Sequence, residues 1–110
     1  MADAKKINWP GQSGAEYTYW IYSIETNFSE VPGNYIFAKE TSPSKWSPIY
    51  IGQTKNLGDR LSGHEKEGCA KRNGASHIHV HKTDEGEAAR KKEEKDLIIC
   101  WKTPCNEQLI

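Results

Sequence analysis

An arginine and a histidine interrupt an apolar helical stripe in the middle of the chain. Leu57, Arg60, Leu61 and His64 are spaced so that they would share one face of a helix. Buried stripes are apolar as a rule, so two polar members need an explanation. A guanidinium can bind a phosphate through two parallel hydrogen bonds, and an imidazole transfers protons near neutral pH. The competing structural interpretation is an arginine whose stem lies along the surface and a histidine at a helix end.

One carboxylate stands out in the same way on the last predicted helix. Glu94 precedes three apolar residues by three, four and seven positions, namely Leu97, Ile98 and Trp101. The flanking Lys92, Glu93 and Lys95 are predicted to fall outside that apolar arc. A carboxylate is a hard oxygen ligand that suits Mg²⁺ or Mn²⁺. The structural alternative is that Glu94 forms an ion pair with Arg60.

These side chains need a mixed set of elements to position them. Aromatic and β-branched residues predict four strands, at 17–25, 34–39, 49–52 and 77–81. The segments 40–48 and 67–76 are predicted to be loops. A helix is expected after Thr54, and another from an N-cap at Asp84 to about Trp101.

Length and composition indicate one folded domain over residues 1–110. The chain has 15 Lys and Arg against 15 Asp and Glu, for a formal net charge of zero. Its middle part, 46–75, is the basic one, with five basic and three acidic side chains. No run approaches the ~20 apolar residues of a membrane helix, and no apolar segment at the N-terminus indicates secretion. We therefore expect a cytoplasmic protein with no membrane partner.

The three cysteines fit neither a disulfide framework nor a structural zinc site. Cys69, Cys100 and Cys105 are an odd number and contain no CxxC spacing. Reduced thiols are therefore the expectation for all three.

Five separated elements of the chain, in order, resemble the GIY-YIG nuclease family. They are Gly33-Asn34-Tyr35, Tyr50-Ile51-Gly52-Gln53-Thr54, Asn56-Leu57 with Arg60-Leu61 and His64, Glu94 with Leu97-Ile98, and Pro104 with Asn106. The stretches 32–35 and 50–61 are particularly similar to the N-terminal incision domain of the excision-repair nuclease subunit. The chain departs from the pattern at Asn34, where an apolar residue is usual, and in the longer separation of Tyr35 from Tyr50. Asn34 is expected on the face opposite the two tyrosines.

The resemblance implies an α+β fold with a small central antiparallel sheet flanked by helices. Three core strands belong to the motif region, about 31–106, and the N-terminal extension 1–30 adds one more strand. The implied catalytic set consists of Tyr35, Tyr50, Arg60, His64, Glu94 and Asn106. Gly52, Lys55 and Arg60 are the implied substrate-binding residues.

This set suits the hydrolysis of a phosphodiester with one divalent metal ion. Glu94 would hold Mg²⁺ or Mn²⁺, and Arg60 would bind the scissile phosphate through two hydrogen bonds. Tyr50 is the favoured general base by resemblance, while His64 is the easier base by its ordinary pKa. Tyr35 would donate a hydrogen bond to phosphate or water, and Asn106 would position Glu94 or the backbone.

The expected function is that of a metal-dependent DNA endonuclease in repair, recombination, restriction or a mobile element. Branched or damaged duplexes are candidate substrates, and a protein partner or a homodimer would supply targeting. One alternative is an inactive nucleic-acid-binding module. Another is metal binding by His77, His79 and His81, against which stands a solvent-facing polar row behind Ile78 and Val80. The aromatic residues of 17–22 would either stack on unpaired bases or belong to the core.

Overall fold

Five antiparallel strands form one sheet in the computed structural model, which describes residues 5–106. In chain order they are β1 (Lys5–Pro10), β2 (Glu16–Ser23), β3 (Gly33–Ser42), β4 (Lys45–Thr54) and β5 (His77–Lys82). Their order across the sheet is β1-β2-β5-β3-β4. The helices of the described residues are α1 (Leu57–Leu61), α2 (Glu67–Arg72) and α3 (Glu87–Cys100). The predicted α+β class is confirmed.

The N-terminal extension contributes two strands where the sequence predicted one. β2 pairs with β5, and β1 pairs with β2 at the outer edge. β1 was not predicted because its apolar residues are only two, Ile7 and Trp9, which both face the side of the sheet that α3 covers. Residues 1–4 of the extension lie outside the described residues.

The predicted loop at 40–48 is wrong, because β3 and β4 continue pairing through most of it. Glu40 pairs with Trp46 and Ser42 with Lys45, and Ser44 takes a left-handed conformation at the turn, with φ of 65°. Pro48 stands at a register shift of the β4 edge strand. A proline is tolerated there, since an edge strand with a bulge does not need every N–H. The prolines and serines therefore shape the hairpin rather than interrupt it.

Side chains alternate between two apolar layers, one on each side of the sheet. The layer on the α3 side contains Trp9, Tyr19, Ile36, Ala38, Ile51 and Leu97. The layer on the α1 and α2 side contains Tyr35, Phe37, Ile49, Leu57, Ala70, Ile78, Val80 and Cys105. Period-2 alternation along β3 therefore sends Tyr35 and Ile36 to opposite sides. Asn34 faces the α3 side, opposite the two motif tyrosines, as predicted: its Nδ2 donates to the Arg90 carbonyl at 2.9 Å.

The helices differ from the prediction at their ends. α1 stops at Leu61, and the chain turns at Gly63, whose φ is 76°, so His64 does not belong to the predicted helical stripe. Residues 67–72 form α2 instead of a loop, with Ala70 buried against the sheet. α3 begins after Gly86, not at an Asp84 cap, because Gly86 occupies the N-cap position with φ of 109°.

Two of the three cysteines are joined, so the expectation of reduced thiols is wrong for them. Cys69 on α2 forms a disulfide with Cys105, 36 positions later in the sequence, while Cys100 is free and exposed. The bond ties α2 to the segment that follows α3. Within residues 5–106, no helix has the length and apolar character to cross a membrane. The cytoplasmic location stays a prediction.

Candidate active site

The two motif tyrosines lie side by side because their strands pair. Tyr35 on β3 is the cross-strand partner of Gly52 on β4, and Phe37 is the partner of Tyr50. The Tyr35 ring lies directly over Gly52, where an added Cβ would come within 2.5 Å of the Tyr35 hydroxyl oxygen. The ring centroids of Tyr35 and Tyr50 are 6.1 Å apart. Gly52 therefore acts by leaving room for the Tyr35 ring.

His64 reaches the same place from the turn after α1, although it is not helical. Its Nε2 lies 2.6 Å from the Tyr35 hydroxyl, and the Lys66 backbone N–H donates to its Nδ1 at 2.9 Å. A backbone N–H can only donate, so Nδ1 must carry a lone pair. Burial and the nearby Arg60 charge lower the pKa of His64 to about 4. A neutral ring with a free Nδ1 lone pair carries its proton on Nε2, so His64 donates to the Tyr35 oxygen.

The Tyr35 hydroxyl proton is then directed away from His64. Tyr35 is 1% exposed, whereas Tyr50 is partly exposed. Burial raises the pKa of both tyrosines, and the Arg60 charge opposes the rise in each. A hydrogen-bonding interaction with Tyr35 also lowers the pKa of Tyr50. His64 and Tyr35 therefore form a buried, hydrogen-bonded pair, and Tyr35 in turn lowers the pKa of the more accessible Tyr50 hydroxyl.

Arg60 brings a positive charge to the tyrosines from α1. The Asn56 side chain caps this helix by accepting from the Asp59 N–H at 2.9 Å. Arg60 Nη2 pairs with Glu65 at 3.1 Å, and the Arg60 side chain keeps 33% of its exposure. Burial lowers the pKa of Arg60, but its interactions with Tyr35, Glu65 and Tyr50 raise the pKa by more, so that it lies above the usual value. The ion pair of Arg60 is thus made with Glu65 and not with Glu94.

Glu93 and Glu94 are adjacent on α3 but differ in burial and in hydrogen-bond partners. Glu93 was predicted outside the apolar arc, which is wrong: it is 4% exposed and lies one turn before Leu97. Its carboxylate accepts from the Tyr19 hydroxyl at 2.6 Å and lies 2.9 Å from His81 Nδ1. Glu93 is therefore fully engaged in holding α3 to the sheet.

Glu94, by contrast, is half-buried and has its carboxylate available. Among residues 5–106 it accepts no hydrogen bond and forms no ion pair. Burial raises its pKa, against the opposing charge of Lys91. Its charge also contributes to raising the pKa of both Tyr35 and Tyr50. This is a partly desolvated carboxylate that forms no ion pair with any of the residues described.

The Asn106 side chain forms hydrogen bonds with the edge strand β4 and not with Glu94. Its Oδ1 accepts from the Ile51 N–H at 2.7 Å, and its Nδ2 donates to the Ile51 carbonyl at 2.8 Å. Thr103 donates to the same Oδ1. One side chain thus pairs with β4 as a neighbouring strand would, between Tyr50 and Gly52. Of the two predicted tasks, the geometry matches the positioning of the backbone.

Lys55 is exposed at the bend between β4 and α1. It follows Thr54, the last residue of β4, and precedes the helix cap Asn56. This places an accessible positive charge on the segment that joins Tyr50 to Arg60.

The histidines of β5 do not form the predicted solvent-facing row. His79 is fully buried, and the Trp9 indole donates to its Nδ1 at 3.0 Å. Burial lowers the pKa of His79 to about 3. His81 is bound to Glu93, and the His77 ring lies 4.8 Å from that of Trp46. The row faces the α3 side of the sheet because the alternate residues of β5, Ile78 and Val80, belong to the apolar layer on the α1 and α2 side.

A set of three or more His, Cys, Asp or Glu side chains arranged to hold a metal ion is not found in the described part of the chain. A single carboxylate such as Glu94 falls outside that criterion. Mg²⁺ is commonly bound by one or two carboxylates together with water and substrate phosphate. Glu94 therefore fits this metal better than it fits zinc, which takes three or four protein ligands.

One part of the site had no signal in the sequence. The Lys66 backbone N–H fixes the tautomer of His64, and any residue except proline would supply it. Glu65, the partner of Arg60, could have been found, because it is an acidic residue five positions after an arginine in a segment that turns.

The chain has no match among protein-family models, curated proteins or solved structures.

Proposed function

We propose that this protein is a metal-dependent endonuclease that hydrolyses DNA phosphodiesters, as its likeness to the GIY-YIG nucleases implies. The observation that carries the proposal is the cluster of Tyr35, Tyr50 and His64, whose ring centroids lie within 6.1 Å of one another. The charges of Arg60 and Glu94 act on both tyrosines of this cluster. These residues come from separate elements of the chain, so their arrangement is a product of the whole fold. A half-buried carboxylate that forms no ion pair among the described residues costs stability, which favours a functional reason for its presence.

Glu94 would hold the metal ion. Bound there, Mg²⁺ or Mn²⁺ would neutralise phosphoryl charge and polarise the phosphate. Glu94 is suited to this because its half-buried carboxylate forms no ion pair among the described residues. Its raised pKa, caused by burial, also means that a nearby cation would favour the ionised form.

Arg60 and Lys55 would bind the substrate. Arg60 is one-third exposed, so its guanidinium can exchange its single contact with the Glu65 carboxylate for a phosphate bound through two parallel hydrogen bonds. Lys55 is exposed on the next segment and would contact a neighbouring phosphate. Both lie in the basic middle part of the chain. With a net charge of zero overall, binding through these few contacts is expected to be weak and to fall by roughly one power of the salt concentration for each phosphate contact.

Tyr50 is the general base in this proposal. Its ionised oxygen takes a proton from water, the water oxygen bonds to phosphorus, and the bond from phosphorus to the leaving deoxyribose oxygen breaks. The leaving oxygen then takes a proton from solvent. His64 cannot serve, because its Nδ1 accepts from Lys66 and its Nε2 carries a proton that is donated to Tyr35. Tyr35, being buried, supports Tyr50 instead of contacting phosphate.

The proposal is tested by incubating the purified protein with a panel of duplex, flapped, branched and single-stranded DNA. Cleavage in Mg²⁺ that stops on addition of EDTA is the expected result. Binding of any of these DNAs without cleavage, in Mg²⁺ and in Mn²⁺, would overturn it in favour of an inactive nucleic-acid-binding module. Sedimentation of the protein with its substrate would show whether two copies act on opposite strands.

A further inference from the structure

The two N-terminal strands carry an aromatic surface on the same side of the sheet as Arg60. Four consecutive cross-strand pairs run from Lys6 through Trp20, Val80 and Tyr35 to Gly52. Directly paired residues of antiparallel strands project to one face. Tyr35 and Val80 are buried under the layer that includes α1, but Trp20 lies beyond it and stays partly exposed.

Trp20 forms part of the floor of an open cleft of about 450 Å³. The residues that line it are Thr18, Trp20, Tyr22, Val80, His81 and Lys82. The Tyr22 ring is fixed by an edge-to-face contact with Phe28, at 5.3 Å between centroids. A volume of this size lies within the range of pockets that hold small organic ligands. The cleft can therefore accept a flat aromatic group.

Positive charge borders this aromatic floor on two sides. Lys6 Nζ lies 5.5 Å from the centroid of the Trp20 ring, a cation–π contact at an exposed position. Lys82 is exposed at the other side, on β5. The acidic residue of the same face of β2 is Glu16, which stands at the far end of the strand opposite Pro10. Aromatic rings flanked by lysines suit the binding of single-stranded DNA, because its bases stack on aromatic rings and its phosphates carry negative charge.

The exposure of Trp20 contrasts with the burial of the side chains on the other face of the same strands. Trp9 and Tyr19 are 3% and 0% exposed under α3. The extension thus has a core face that α3 covers and an aromatic face that the described residues leave accessible. A tryptophan on the accessible face is not needed to close the core.

We propose that the face formed by Lys6, Trp20 and Lys82 binds unpaired nucleotides next to the scissile phosphate, so that the preferred substrate has a single-stranded segment. This inference rests on the proposed function, since it takes the strand bound at Trp20 to be the one that reaches Arg60. Neighbouring strands are about 4.8 Å apart, so the three spacings between Trp20 on β2 and Tyr50 on β4 amount to roughly 14 Å. At about 3.4 Å for each stacked nucleotide, this corresponds to about four nucleotides.

Binding is measured first, in EDTA, with fluorescein-labelled oligo(dT) and with a duplex of the same length. Trp20→Leu keeps an apolar side chain but removes the stacking ring, and we expect it to weaken oligo(dT) binding about tenfold or more. Trp20→Tyr keeps a ring and should retain most of the affinity. Circular dichroism of both variants reports whether they fold.

The charge contribution has a matched control on the same strand. Lys6→Ala should weaken oligo(dT) binding and lower its salt dependence. Lys5→Ala removes the same charge from the adjacent residue, whose side chain projects to the opposite face, and should bind as the parent protein does. Equal loss in both variants would overturn the assignment of this face.

Cleavage then separates the two proposals. Trp20→Leu should lower the cleavage of a flapped substrate about tenfold more than it lowers the cleavage of a continuous duplex. Unchanged oligo(dT) binding by Trp20→Leu overturns the inference, as does a change confined to self-association, which would indicate a contact between two copies. Trp20-dependent binding without any cleavage by the parent protein overturns the proposed endonuclease and supports the binding surface.

Discussion

The Tyr35 hydroxyl lies 2.6 Å from Nε2 of His64, and the Lys66 N–H occupies the other ring nitrogen. The two contacts together determine which way the hydrogen bond points. His64 donates a hydrogen bond from its Nε2–H to the Tyr35 oxygen, and the lone pair of its Nδ1 is already bound to the Lys66 N–H. Neither ring nitrogen is therefore free to act as a base. In the proposed mechanism, Tyr35 and His64 would position Tyr50, while Tyr50, Arg60 and Glu94 would contact the reacting groups.

Two replacements of His64 should distinguish the effect of its hydrogen bond on activity from the effect of its imidazole ring. In His64→Gln the side-chain amide can still donate to Tyr35, so activity should remain within a few-fold of the parent. In His64→Leu the donor is lost, and kcat/KM should fall roughly tenfold, the value of about 1.4 kcal/mol for a buried hydrogen bond. The pH dependence of the rate should stay the same in both variants. A shifted pH profile would mean that His64 itself transfers a proton.

The rate of cleavage should rise with pH through the neutral range. Burial holds the pKa of Tyr50 above its usual value of 10.0, so the ionised fraction increases about tenfold for each unit of pH below that pKa. His64, with a pKa of about 4, stays neutral over the same range and adds no inflection. Single-turnover rates measured from pH 6 to 9 should therefore give a slope near one on a logarithmic plot. A plateau above pH 7 would argue for a histidine base instead.

Gly52 should not tolerate even one added methyl group. In Gly52→Ala the new Cβ would lie 2.5 Å from the Tyr35 Cζ and Oη atoms, so the ring must move. We expect a loss of about 1–3 kcal/mol in the free energy of unfolding, together with a fall in activity. Urea unfolding and cleavage assays measure the two effects.

Gly68 provides the matched control for this substitution. It lies in α2, and the nearest atom to an added Cβ is Nη1 of the flexible Arg72 side chain, at 3.4 Å. Gly68→Ala should be neutral or stabilise the protein by up to about 1 kcal/mol, because alanine favours a helix over glycine. Equal destabilisation by both substitutions would show that contact with Tyr35 is not the cause.

Reduction of the disulfide should loosen the strand edge next to Tyr50. The bond between Cys69 and Cys105 closes a loop of 36 residues, for which chain entropy predicts about 3–4 kcal/mol of stabilisation. Cys105 also precedes Asn106, whose side chain holds Ile51. Dithiothreitol or Cys69→Ser should lower the Tm and reduce cleavage. Cys100→Ser, at the exposed free thiol, should change neither, and an unchanged Tm on reduction would contradict the structural role.

The sequence predicted those parts of the fold whose signals are local. The strands at 17–25 and 77–81 were found because aromatic and β-branched residues cluster there, and they correspond to β2 and β5. β1 has too few apolar residues for its pattern to be seen without the partner strand β2. The hairpin of β3 and β4 contains prolines that usually mark a loop, and only the register shift at Pro48 accommodates them.

The sequence pointed to a set of candidate site residues, but it did not predict the contacts that they make. Spacing identified Glu94 and missed Glu93, because burial of Glu93 depends on Tyr19 and His81 reaching it from the sheet. The pairing of Cys69 with Cys105 likewise depends on α2, which was predicted to be a loop. Such contacts between distant segments arise from the tertiary fold and have no periodic signature along the chain.

The central claim is that Glu94 holds the metal ion that cleavage requires, and one comparison tests it most directly. Single-turnover cleavage in Mg²⁺ is measured for the parent protein, Glu94→Ala and Glu87→Ala. Glu87 is an exposed carboxylate on the same helix whose ion pair, within residues 5–106, is with Lys91. We predict that Glu94→Ala folds normally and cleaves at the background rate, while Glu87→Ala stays within about twofold of the parent. Cleavage by a folded Glu94→Ala protein at the parent rate would contradict the account.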